Sequence, residues 1–156
     1  MKKVIMILGY IFLALIVVLL AGFGSLTVIG NLLDKESKAF VDAAIPAIIS
    51  TWDIREIEKR ASPEFNDDVD YDGLEQDFGV LQQLGNLVMY KGSTGDAHIT
   101  LSLHYGYEIT ADYTASADFE AGATTMQMSL IKHGGKWQIL DFKITPEELS
   151  ERTDII

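Results

Sequence analysis

The sequence predicts an α+β protein in which an N-terminal transmembrane helix precedes a single mixed domain. Three observations carry this prediction: residues 4–33 contain no charged side chain, residues 37–87 repeat apolar positions with helical spacing, and residues 99–144 alternate with a period of two. Helices that precede strands in this order pack on one face of an antiparallel sheet. We therefore divide the chain into a membrane anchor (1–33), an extracytoplasmic domain (34–146) and a polar tail (147–156).

The anchor prediction rests on the length of the apolar run. A helix needs about 20 apolar residues to cross a bilayer, and residues 4–23 supply that many. A cleaved signal peptide is the alternative, but its apolar region is usually about 7–15 residues long. Lys2 and Lys3 precede the run and favour a cytoplasmic N-terminus. We expect a single-pass membrane protein whose C-terminal domain is extracytoplasmic.

Charge and cysteine content exclude several classes of partner and chemistry. From Asp34 onward the chain has 10 basic and 23 acidic residues, a net charge of −13. Nucleic acid would repel such a domain, and so would an anionic membrane surface. The chain has no cysteine, which excludes disulfides, thiolate metal sites and cysteine nucleophiles. We expect no cofactor.

The first half of the domain has the pattern of three helices. The first begins near Ser37, and Pro46 predicts a kink or an early end within it. A second helix covers residues 52–61, and a third begins at Leu74 and stops at Gly85. The apolar stripe of the first helix comprises Phe40, Val41, Ala44, Ile45, Ile48, Ile49 and Trp52.

The second half has the pattern of a half-buried antiparallel sheet. Apolar side chains occupy the odd-numbered positions from Ile99 to Phe119, and polar side chains occupy most of the even ones. The segment "HGGKW" predicts a tight hairpin before the last strand. In that strand the apolar parity shifts between Ile139 and Leu140, which predicts a β-bulge.

Three segments carry a resemblance to a known family: "AFVDAAIPAIISTWDIREIEKRASPEF", "LGNL" and "GGKWQIL". Together they resemble small bacterial envelope proteins of unknown function in the nuclear-transport-factor-2-like (NTF2-like) superfamily, over residues 37–145. The resemblance implies a cone of three helices packed on a curved antiparallel sheet. That superfamily includes enzymes as well as binding and assembly modules, so the fold does not select a function.

The segment "DVDYDG" has the form of the start of a calcium loop. Asp68, Asp70 and Asp72 alternate before a glycine, but the twelfth position, which should be a bidentate glutamate, is Gly79. A capping box explains the same residues, with Asp72 capping the third helix and Glu75 reaching back to it. The sequence favours the cap, and calcium is the weaker alternative.

The aromatic side chains are the candidate ligand-binding residues. We expect them to line the cone: Trp52, Tyr105, Tyr107, Tyr113 and Trp137. Acid–base catalysis there would need a carboxylate with a pKa shifted by burial, yet the acidic residues of the strands occupy the opposite face. Asp141 lies at the predicted bulge, and it is the one acidic residue of the strands for which the sequence does not fix the face of the sheet. The histidines lack metal-ligand spacing, so we expect neither a metal site nor catalytic residues.

Together with these patterns, the resemblance implies a non-catalytic binding or assembly domain, acting as an accessory subunit of a membrane complex. It also implies the bacterial inner membrane as the location, with the C-terminal domain periplasmic or extracytoplasmic. Its expected partners are the membrane, through residues 4–23, and another envelope or membrane protein. The alternative is an NTF2-like enzyme, or a protein that binds a small apolar ligand, with its site in the cone.

Overall fold

The computed structural model describes the backbone of residues 2–102 and 106–146, and the side chains of residues 12–18, 30–100 and 106–146. The chain divides into two compact units, Met1–Leu33 and Asp34–Ile156. The predicted polar tail, residues 147–156, lies outside the described residues.

The longest element is a helix, α1, which extends over Lys2–Thr51. It begins well before Ser37, where the helical spacing of the sequence begins. It also continues past Pro46 for five more residues, so the early end that Pro46 suggested is not observed.

The predicted N-terminal transmembrane helix is wrong. Within the part of the chain that the structure describes, no helix has an apolar stretch long enough to cross a membrane.

Three short helices follow α1 instead of the two longer ones predicted. They are α2 (Ile54–Glu58), α3 (Pro63–Asp68) and α4 (Tyr71–Leu81), and a single 3₁₀ turn, Gln82–Leu84, ends the series. α3 was not predicted, because the second predicted helix was given an end at residue 61, directly before Ser62-Pro63. The same pair starts a helix here: Ser62 accepts a hydrogen bond of 3.1 Å from the Phe65 N–H, and Pro63 occupies the first helical turn.

Four strands form one antiparallel sheet in the order β1-β2-β3-β4, which confirms the predicted α+β class with an antiparallel sheet. The strands are β1 (Leu87–Ser102), β2 (Gly106–Phe119), β3 (Gly122–His133) and β4 (Lys136–Pro146). Ser129 pairs with Asp141 and Leu130 pairs with Ile139, which leaves Leu140 as an extra residue. The predicted bulge at this point is confirmed.

The core of the second unit lies between α1 and one face of the sheet. Ser37 Oγ of α1 is 2.9 Å from Tyr113 Oη of β2, and the Trp52 ring stacks on Phe119 at a centroid distance of 5.6 Å. Most of the predicted α1 stripe is buried: Val41, Ala44, Ile45, Ile48, Ile49 and Trp52. The facing sheet residues are also buried: Ala111, Tyr113, Ala115, Ala117, Phe119, Met126, Met128, Leu130, Trp137, Ile139 and Phe142.

Trp52 ends α1 in an unusual backbone conformation. Its φ is 51°, in the left-handed region where glycine normally terminates a helix. The indole is buried, stacked on Phe119 and edge-on to Phe78 at 5.4 Å. The aromatic contacts therefore hold a residue whose backbone geometry costs free energy.

Candidate functional site

The described members of the predicted aromatic set differ in burial. Trp52, Tyr113 and Trp137 are buried, whereas Tyr107 is 71% exposed and Tyr105 lies outside the described residues. Tyr107 was expected to face the core because of its parity. β3 pairs with β2 only from Thr110 onward, so Tyr107 lies beyond the covered part of the sheet and is exposed.

Trp137 lies beside a charged pair at the end of β3. The Lys132 ammonium is 5.2 Å from the centroid of the indole and forms a 2.5 Å ion pair with Glu36 of α1. The buried Trp137 Nε1 has no hydrogen-bond partner among the described residues, and the same holds for the buried Thr124 Oγ1. Two polar atoms on the core side of the sheet are therefore unsatisfied.

A half-buried polar cluster joins α1 to the edge strand β1. Asp42 Oδ1 accepts hydrogen bonds from Ser93 Oγ (2.6 Å) and Tyr90 Oη (2.8 Å), and Lys38 Nζ donates to Asp42 Oδ2 at 2.7 Å. The register of β1 shifts between Tyr90 and Ser93, and Gly92 there has a φ of 94°. This bulge lets side chains of opposite parity face the same carboxylate. We call these four residues the Asp42 cluster.

The protonation of the Asp42 cluster follows from its contacts. Burial alone would raise the pKa of Asp42, but hydrogen bonds from Lys38, Ser93 and Tyr90 together lower it. Burial raises the pKa of the Tyr90 phenol, and the neighbouring Asp42 carboxylate raises it further. The cluster therefore holds an ionised carboxylate and a neutral phenol at neutral pH. Such an arrangement anchors a helix to a strand and leaves Asp42 a weak base.

A second polar contact lies deeper, at Tyr113. Its hydroxyl donates to the Asp34 carbonyl at 3.1 Å and meets Ser37 Oγ, while Asp34 Oδ1 accepts from the Ala97 N–H at 2.8 Å. Burial raises the pKa of Tyr113. The sequence analysis missed these partners as well as the Asp42 cluster. The available signal was the spacing of Asp34, Lys38 and Asp42, four residues apart on one helix face.

The acidic loop is shorter than predicted. Asp68 is the last residue of α3, and Asp70 precedes α4 in the N-cap position without a side-chain capping bond. The predicted cap, Asp72, is inside the first turn of α4, so the capping-box prediction is wrong. No three histidines or acidic residues are arranged to hold a metal ion in the described ranges.

The remaining titratable candidates lie at the surface. His98 Nδ1 is 3.6 Å from Asp96, and His133 Nε2 is 3.4 Å from Glu64. His104 lies outside the described residues. Asp141, whose facing the sequence left uncertain, forms a surface ion pair with Lys143 at 2.7 Å. None of the described groups among them is buried.

Comparison of the chain with protein-family models, with curated proteins and with solved structures gives no significant match. The resemblance to the NTF2-like superfamily therefore stays a prediction.

Proposed function

We propose that the second unit is a non-catalytic binding or assembly domain. One observation carries the proposal: among the described residues, the buried polar side chains are Ser37, Ser62, Ser93 and Thr124, and none is acidic or basic. General acid–base catalysis depends on a titratable group whose pKa is tuned by burial. The interior of this unit supplies packing surface and hydroxyl groups.

The shifted carboxylates support the same proposal. Each described carboxylate with a changed pKa has a lowered one, because hydrogen bonds and cations stabilise its ionised form: Asp42, Asp53, Glu56, Glu64 and Glu120. A carboxylic acid that donates a proton near neutral pH needs the opposite shift. These groups act as structural acceptors.

One observation favours a second candidate, the binding of a small apolar ligand. The buried Trp137 Nε1 and Thr124 Oγ1 lack partners within the described chain, and a ligand with an acceptor atom would satisfy one of them. Binding of this kind would quench or shift the emission of Trp137. A Trp137→Phe chain, with Trp52 as its remaining indole, is the control that assigns such a change to Trp137.

The partner predicted from the resemblance, another protein of the cell envelope, stays part of this proposal. So does the predicted extracytoplasmic location. Neither depends on the contacts described above.

The test is genetic rescue with variants that each lack one hydroxyl group of the Asp42 cluster. A strain that lacks the gene and shows a defect would receive the wild-type chain, Ser93→Ala or Tyr90→Phe at matched protein levels. An assembly domain predicts full rescue by each variant that stays folded. A catalytic role of the Asp42 cluster predicts that a folded variant fails, because losing a general acid or base costs about 10²–10⁴ in rate.

A further inference from the structure

We draw no further inference here: the strongest candidate, the buried Trp137 Nε1 beside the Lys132–Glu36 ion pair at the end of β3, belongs to the ligand-binding candidate already described, and nothing in the described part of the chain shows what would satisfy it.

Discussion

The Ser93 hydroxyl donates a 2.6 Å hydrogen bond to Asp42 Oδ1 and so joins the edge strand β1 to α1. Ser93 is buried. Loss of its hydroxyl would remove one of the three hydrogen bonds that stabilise the Asp42 carboxylate, at a place where water replaces it poorly.

The first prediction concerns this bond. Ser93→Ala should lower the free energy of unfolding by about 1–2 kcal/mol, measured by urea denaturation. Ser129→Ala is the matched control, because Ser129 donates an equally short bond of 2.6 Å to Asp112 at an exposed position. The control should change stability by less than about 0.5 kcal/mol. If both variants lose the same free energy of unfolding, burial of the Asp42 cluster contributes nothing to stability.

A second prediction concerns pH. The pKa of Asp42 is lower in the folded state than its ordinary value of 3.8. Its stabilising contribution is therefore complete above the unfolded pKa and is lost as pH falls through the folded pKa. The stability difference between the wild type and Asp42→Asn should be largest near pH 7 and shrink in strong acid. A difference that stays constant or grows toward low pH would contradict the lowered pKa.

The backbone conformation of Trp52 gives a third prediction, which is the order of stability of two variants. Trp52→Ala and Trp52→Gly both lose the indole, at a cost of about 3–5 kcal/mol. Glycine accepts the positive φ that strains alanine. The glycine variant should therefore be more stable than the alanine variant, the reverse of the order inside a helix. If thermal unfolding ranks alanine above glycine, Trp52 is not left-handed in solution.

The fourth prediction separates two tyrosines of β2. Tyr113→Phe should destabilise the fold by about 1–2 kcal/mol, because its hydroxyl bonds the Asp34 carbonyl and Ser37 in a buried site. Tyr107→Phe should be neutral within about 0.5 kcal/mol, because Tyr107 is exposed. Chemical denaturation of both variants checks this, and a large loss of stability in Tyr107→Phe would contradict the exposure of Tyr107.

The core was predictable from the sequence because burial of one face of a helix or strand produces a periodic spacing of apolar residues. The α1 stripe from Val41 to Trp52 is buried, as the helical spacing predicted, and the odd positions of β2 are buried from Ala111 to Phe119. The bulge at Leu140 was visible as a change of parity. Each of these features depends only on which side of an element faces the core.

The features that the sequence did not predict have physical causes. Parity shows which face Tyr107 occupies but not where the covering layer ends. Residues 87–98 of the edge strand β1, "LVMYKGSTGDAH", contain a bulge at Gly92 and therefore show no clear alternation. The spacing of Asp34, Lys38 and Asp42 places them on one helix face, but an ordinary solvated face has the same spacing, so this signal alone does not identify the Asp42 cluster. Their partners on β1 are 48 to 63 residues away in the sequence.

The central claim, that the domain acts without catalysis, is tested most directly by titrating cellular rescue against protein level. A deletion strain would express the wild-type chain from full abundance down to about one hundredth of it. A stoichiometric module predicts rescue that falls in proportion to protein level. An enzyme turns over about 1–10³ times per second, so full rescue at one hundredth of normal abundance would contradict the claim.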